Sequence, residues 1–339
     1  MFATLTTAIV AFGLAALVIT IAGSQLARVA DELSDRSGLG EALFGVFLLA
    51  GVTSLPDFAA TLSAALDSRP DLAMSNIMGS MAANLVFLGI ADMVYRKANL
   101  EHAAASPTIL MLAALLIVLL TLPLMAVAMP ALSLWGVHPV TPVIVAAYLS
   151  GLYLVRGTQQ QPMWIPRHTR QTVPDQPTRH RHGKLSTAWF SFIALGAVTG
   201  GAGWILMDAA KVISDQAGLS ESLVGGLLTA LATSSPELVT TIAAIRQRAL
   251  TLAVSNIFGT NCFNMLVVAA ADAGYPGGSI YHAMAPVQMT WGLVGILMTA
   301  ILLMGMLRRE LYGIGRIGFE SVLILAVYAL ALGIVMAAG

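Results

Sequence analysis

Apolar residues in this chain run in long unbroken blocks, and polar residues collect between the blocks. A helix needs about 20 mostly apolar residues to cross the hydrocarbon layer of a bilayer. By that rule spans fall at 2–26, 39–66, 71–95, 106–129 and 139–156 in the first half. The second half gives 187–210, 218–245, 251–272, 283–307 and 315–338. No stretch alternates polar and apolar residues as the strands of a membrane barrel do. The pattern predicts an all-α membrane protein of ten transmembrane helices. The first block lacks a basic leading region, so it reads as a first span rather than a cleaved signal.

Two of these blocks are interrupted by the same polar residues. Gly51-Val-Thr-Ser-Leu-Pro-Asp57 returns 180 residues later as Ala232-Thr-Ser-Ser-Pro-Glu237. Aligned without a gap, 30–92 and 210–272 match at 24 of 63 positions. Thr53/Thr233, Ser54/Ser234, Pro56/Pro236, Thr61/Thr241, Asn76/Asn256, Gly79/Gly259 and Asn84/Asn264 are among the matches, and Asp57 faces Glu237. Chance does not repeat proline, hydroxyls, amides and an acid in one register, so the chain is duplicated internally.

Charge then sets the topology. Only 10% of the 339 residues are charged, where a soluble protein carries about 25%. The net charge is zero, but 15 of the 17 basic residues fall in connections on one side of the ten-span plan, and only Arg69 and Lys211 on the other. The basic side is expected to be cytoplasmic, with both termini outside. Five spans per half is an odd number, so the second half enters from the opposite side. The expected domains are 1–156, a first five-helix repeat with its motif region at 39–95, and 187–339, a second inverted repeat with its motif region at 218–272. A basic linker, 157–186, joins them in the cytoplasm, and its polar composition reads as flexible. Its His168, His180 and His182 read as solvated charge rather than a metal tract. Inverted repeats belong to secondary transporters, whose site lies at the repeat interface near the midplane.

The geometry of each hairpin agrees. Asp57 and Asn84 lie equally far from the turn at Ser68–Asp71, about 20 Å at about 1.5 Å per helical residue. Glu237 and Asn264 stand in the same relation to the turn near Leu250. Inversion brings all four to one depth. Pro56 and Pro236 have no N–H for the carbonyls of Val52 and Ala232, which frees backbone oxygen as well. Thr53, Ser54, Thr233, Ser234, Ser80 and Thr260 add hydroxyls. An all-oxygen set suits a hard cation such as Ca2+ or Na+ and not zinc or copper. Each uncompensated carboxylate at midplane costs at least about 2.5–3.5 kcal/mol, and no basic residue lies in these helices to offset it. Cations or protons must do so. Asp92, Asp272, Glu41 and Glu221 also match between repeats, but near helix ends, where solvated acids are ordinary. Asn76 and Asn256 suit packing as well as ligation, and the lone Cys262 reads as a packing residue.

At these residues the chain resembles the sodium/calcium exchangers of the cation/Ca2+ antiporter superfamily. The likeness rests on the two acidic motifs together with Ser75-Asn-Ile-Met-Gly-Ser-Met-Ala-Ala-Asn84 and Ser255-Asn-Ile-Phe-Gly-Thr-Asn-Cys-Phe-Asn264. It implies ten helices in inverted halves and one central cluster serving Na+ and Ca2+ alternately. Asp57 and Glu237 would be the shared acidic ligands, Thr53, Ser54, Thr233, Ser234, Ser80 and Thr260 would line the Na+ positions, and Asn84 and Asn264 would complete the middle. Asp57 stands where the family usually has Glu, and Met81 replaces an asparagine kept at Asn261. The uncharged Asn84 and Asn264 argue against K+ co-transport.

The resemblance implies a prokaryotic-type antiporter in a bacterial inner membrane, exchanging Na+ for Ca2+, with H+/Ca2+ exchange on the same fold as the alternative. Proton-coupled relatives tend to carry G-N-x-x-E, which this chain lacks at its motifs. No H-E-x-x-H or G-x-S-x-G motif suggests an enzyme. Neither a cofactor nor a nucleic-acid partner is expected. The sequence leaves the oligomeric state open.

Overall fold

A computed structural model describes the chain apart from Met1, Ala3, residues 38–49, Arg96, Ala105, Gln247, Tyr312, residues 314–316 and Gly339; within 161–184 it describes only Pro162, Pro166, Arg167, Thr169 and Thr172. The histidine tract and Glu41 lie outside the described residues. The elements in chain order are α1 (Leu5–Ser37), α2 (Ala50–Thr53), α3 (Leu55–Leu66), α4 (Pro70–Val94), α5 (Leu100–Ala103), α6 (Pro107–Ala128), α7 (Val140–Gln160) and α8 (Leu185–Ala217). Then come α9 (Glu221–Leu223), a π-helical turn (Val224–Thr229), α10 (Ala230–Thr233), α11 (Ser235–Arg246), α12 (Leu250–Gly274), α13 (Ile280–Ala283), α14 (Pro286–Arg308) and α15 (Phe319–Ala338). The protein is all-α, as the apolar blocks predict.

Eight described helices are long and apolar enough to cross a membrane, and the bent pair from Glu221 to Arg246 makes a ninth. The span expected at 39–66 is described only from Ala50 onward, as α2 and α3. Most ends fall within four residues of those read from hydropathy. The exceptions are α1 and α8, which continue well past the predicted ends at 26 and 210, to Ser37 and Ala217. Charged residues end a hydrophobic block without ending a helix, because Lys, Arg and Glu are good helix formers.

The motif helices α4 and α12 form the centre, each 83% buried over its most apolar window, against 22% for α1 and 33% for α8. Their apolar residues join those of α3, α6, α7, α14 and α15 in one continuous core. α1 and α8 meet each other through small separate clusters, such as Ala15 and Ile19 against Ala202 and Leu206, and Met207 and Ala210 of α8 reach the central core. Close packing against the centre is made by glycines. A Cβ on Gly203 of α8 would strike the backbone of Pro56, and one on Gly23 of α1 would strike the ring of Pro236. Gly23 and Gly203 are themselves 180 residues apart. Each peripheral helix therefore rests on the proline of the opposite repeat. Gly79 meets Gly226 of the π-helical turn just as closely.

The duplication continues beyond the motifs. Asp92, near the end of α4, accepts hydrogen bonds from Leu100 N (2.7 Å), Gly318 N (3.0 Å) and Ser321 Oγ (2.9 Å). Asp272, near the end of α12, accepts from Ile280 N (3.0 Å), His138 N (2.9 Å) and Thr141 Oγ1 (2.5 Å). Every pair of donors is related by the same 180-residue offset. Both aspartates are fully buried, which corrects the reading of them as solvated helix-end acids. Each fastens a short connecting helix and the last span of a repeat to the motif helix; buried carboxylates persist where such bonds satisfy them.

A candidate cation site at the repeat interface

The chain breaks at Ser54 between α2 and α3, and at Ser234 between α10 and α11, where the second span bends by 42°. Pro56 and Pro236 are the cause: each ring removes a helical donor and crowds the preceding turn. In the second repeat, Ser235 Oγ donates to the freed Ala232 carbonyl at 2.9 Å. That oxygen, expected from the sequence to face a cation, is taken up locally.

Asp57 and Glu237 open the helices after these breaks and are both fully buried. Thr53, Ser54, Ser80, Asn84, Thr233, Ser234, Thr260 and Asn264 are all at most 1% exposed. Direct contacts join part of this set. Ser80 Oγ donates to Asp57 Oδ1 at 2.8 Å and lies 3.3 Å from Thr233 Oγ1, so one hydroxyl links the two repeats. Asp57 also faces Thr233, Asn264 and Asn76, and Glu237 faces Thr53 and the charge of Asp57. Asn84 meets the second repeat through a different partner. Its Nδ2 donates to Asn261 Oδ1 at 2.9 Å, and Asn261 Nδ2 donates to the Met81 carbonyl at 2.9 Å. The side-chain hydroxyls of Ser54, Ser234 and Thr260 are buried and make no hydrogen bond to the others.

Asn261 is the residue the sequence reading left out. Its signal was visible as the amide that Met81 lacks; with no amide at 81, Asn261 bonds the backbone there instead. Asn76, which faces Asp57, also donates to Thr61 at 2.9 Å, whereas the side chains of Asn256 and Thr241 have no hydrogen-bond partners.

The two acids are not equivalent. Asp57 is anchored at Oδ1 and free at Oδ2, while neither oxygen of Glu237 is hydrogen-bonded. The shorter aspartate is held by Ser80; Thr260, at the matching position, makes no hydrogen bond to Glu237. Ser54 Oγ, Asn84 Oδ1, Ser234 Oγ, Thr260 Oγ1 and Asn264 Oδ1 are likewise buried and unpartnered. Buried polar atoms normally find partners, so a concentration of bare oxygens around two carboxylates fits a set built to be satisfied by a cation.

The basic residues of the sparsely charged side are spent elsewhere. Arg69 pairs with Asp215 (2.6 Å) and Glu221 (2.7 Å), and Lys211 with Asp67 (2.5 Å), Asp208 (3.0 Å) and Ser63 Oγ (2.7 Å). The hydrogen bonds that Arg69 donates to Asp215 and Glu221 hold its guanidinium above its usual range. These pairs fasten α8 to α3 and α4 at one end of the bundle, and leave the central acids with no arginine or lysine. Glu221 is thus a partly buried ion-pair partner, not a solvated acid.

An all-α bundle of inverted repeats around a buried, oxygen-lined acidic pair defines a cation transporter. The description "Sodium/calcium exchanger protein" belongs to the family whose pattern matches residues 7–156 and again 187–337, and the chain is a member of that family. It is therefore an integral membrane antiporter of the cation/Ca2+ class and not an enzyme. Among its relatives, the inner membrane protein YrbG of Escherichia coli (strain K12) is 27% identical over 281 residues, covering 81% of this chain and 82% of YrbG. The putative antiporter CaxA of Alkalimonas amylolytica is 27% identical over 294 residues, covering 83% and 85%. The fold matches the sodium–calcium exchanger NCX_Mj, soaked with Na+ and Ca2+, at a TM-score of 0.63 and 18% identity over 96% of this chain and 98% of that one.

Proposed function

We propose that the chain exchanges Na+ for Ca2+ across a bacterial inner membrane by alternating access at one shared site. The carrying observation is the set of buried, unpartnered oxygens around Asp57 and Glu237. In this reading the two carboxylates neutralise the cargo, and Asn84 and Asn264 contribute amide oxygen to the middle. Thr53, Ser54, Ser80, Thr233, Ser234 and Thr260 line the flanks and suit the monovalent ion, which needs fewer charges. Na+ running inward drives Ca2+ outward. Ca2+ and Na+ are cargo, and no resident cofactor takes part.

Counter-ion-dependent flux tests the coupling. In proteoliposomes an outwardly directed Na+ gradient is expected to drive uptake of radiolabelled Ca2+, and a pH gradient alone is not. Uptake that follows the pH gradient and ignores Na+ makes the protein a proton-coupled exchanger on the same fold. Uptake with no counter-ion gradient at all makes it a passive pathway.

Domain limits and orientation belong to the same proposal: two five-helix repeats, 1–156 and 187–339, joined by a cytoplasmic linker at 157–186, with both termini outside. The basic bias of the connections supports it. Cysteines introduced in the linker are expected to resist membrane-impermeant thiol reagents in intact cells, and cysteines near Arg69 to react. Labelling of the linker from outside would overturn the orientation.

A further inference from the structure

The two acids of the cluster are held in place by different means. Ser80 fixes Asp57 through its carboxylate at 2.8 Å, whereas neither oxygen of Glu237 has a hydrogen-bond partner among the described residues. Glu237 is the third residue of α11, so its position follows from how the first turn of that helix is seated. A pair of hydroxyls seats it. Ser235, which opens α11, has its Oγ 2.7 Å from Thr20 Oγ1 of α1. Ser235 Oγ also donates to the Ala232 carbonyl at 2.9 Å, and Thr20 Oγ1 lies 2.8 Å from the Ala16 carbonyl within α1. Each hydroxyl has one proton, so two protons serve these three contacts. With the Ser235 proton on Ala232, Thr20 donates to Ser235. The chain then runs from α1 through the start of α11 to α10, across the 42° bend.

The first repeat cannot build this chain. Gly200 and Leu55 stand 180 positions from Thr20 and Ser235, and neither has a hydroxyl. The contact there is apolar: a Cβ on Gly196 of α8 would stand 3.2 Å from Leu55 Cδ1. Steric seating is common to both repeats, through Gly23 on Pro236 and Gly203 on Pro56. Thr20 and Gly23 are three residues apart and share a face of α1. One approach of α1 therefore brings a hydroxyl to Ser235 and close backbone to Pro236. Ala232 packs into the cluster between α1 and α8, which puts the chain on the peripheral side of the bend. The hydroxyl chain is added in the repeat whose acid has no bond of its own.

We propose that Thr20 and Ser235 are positioning residues for Glu237, their hydroxyl chain fixing the bend at Ser234 and with it the place of the Glu237 carboxylate. This rests on Glu237 being a cation ligand. A ligand binds an ion well when it is already in place, because ordering it on binding subtracts from affinity. At Asp57 the anchor takes up one carboxylate oxygen. At Glu237 the anchor acts on the backbone two residues earlier, and both oxygens stay available for cargo. Because α1 and α11 belong to different repeats, the chain also ties the geometry of this ligand to the packing of the opposite half.

Calorimetric titration of Ca2+ into the purified full-length protein without Na+, with melting curves of the ion-free protein, tests this. Thr20→Val and Ser235→Ala are each expected to weaken Ca2+ binding by about two- to tenfold, the range that one neutral hydrogen bond supports. The double variant should lose no more than Ser235→Ala alone, since Thr20 then has nothing to hold. Thr20→Ser, which keeps the hydroxyl, should bind Ca2+ as wild type does. Variants that melt lower but keep wild-type Ca2+ affinity overturn the proposal, because the chain then supports only packing. Losses that simply add in the double variant overturn it as well. Glu237→Gln, titrated in parallel, separates the two readings. If it loses Ca2+ while Thr20→Val and Ser235→Ala do not, the positioning role alone falls. If it binds as wild type, Glu237 is no ligand and the positioning role falls with it.

Discussion

Asp57→Asn and Glu237→Gln are each expected to abolish Ca2+ exchange in protein that still folds and inserts. Each substitution is nearly isosteric and removes one of the two negative charges in the cluster. Breaking one side of a buried charge pair costs about 3–5 kcal/mol, on the order of a hundred- to several-thousand-fold in ion affinity at about 1.4 kcal/mol per decade. Glu237 makes no hydrogen bond through its carboxylate, so glutamine there disturbs little besides charge. Asn at 57 can still accept from Ser80 through its amide oxygen, which preserves the contact seen at 2.8 Å. Both variants should therefore melt at or above the wild-type temperature in the absence of ions, because an uncompensated buried charge has been removed. Reconstituted flux and ion-free melting curves check the two halves of the expectation. Near-wild-type Ca2+ exchange by either variant would remove Asp57 and Glu237 from the transport site.

The sequence made the cluster legible because its chemistry is covalent and local. Acid, hydroxyl and proline within one motif, repeated at a fixed offset, say what the oxygens are and that two sets must meet. Partner choice across repeats was not legible. Nothing in the one-dimensional pattern shows that Ser80 serves Asp57 and approaches Thr233, or that Asn84 bonds Asn261 rather than Asn264. Hydropathy also misjudged groups whose cost is met by distant donors. Asp92 and Asp272 lie near helix ends and look solvated, yet Gly318 and His138, more than 130 positions away along the chain, supply bonds that bury them. Arg69 and Lys211 read as markers of a membrane side; the pairs Arg69–Asp215 and Lys211–Asp67 depend on α8 continuing beyond its apolar block. The contacts of Gly23 and Gly203 with the motif prolines belong to the same kind, since a glycine in an apolar run announces closeness but not to what.

Ca2+ affinity is expected to fall as Na+ rises, with the total ionic strength held constant. Two carboxylates offset two positive charges, so one Ca2+ satisfies the cluster alone and two Na+ do the same. Filling it with both leaves net positive charge among buried groups with no anion to meet it, which the low dielectric there penalises. The asymmetry of the acids sharpens this expectation. Glu237 has both oxygens to give, whereas Asp57 has one engaged by Ser80, so any ion that holds the pair together must draw chiefly on Glu237. Two cations competing for one carboxylate weaken each other reciprocally, as linkage between ligands requires. The empty cluster, two buried carboxylates without a balancing cation, is the state least able to close, whereas either loaded form is neutral and can. In the proposed exchange that difference would couple the two fluxes, the protein changing sides only when one cargo or the other has cancelled the charge. Calorimetric titration of Ca2+ into the purified protein at increasing Na+, with choline making up the ionic strength, measures the competition directly. A Ca2+ affinity indifferent to Na+ means separate sites, and exchange through a single shared cluster would then have to be given up.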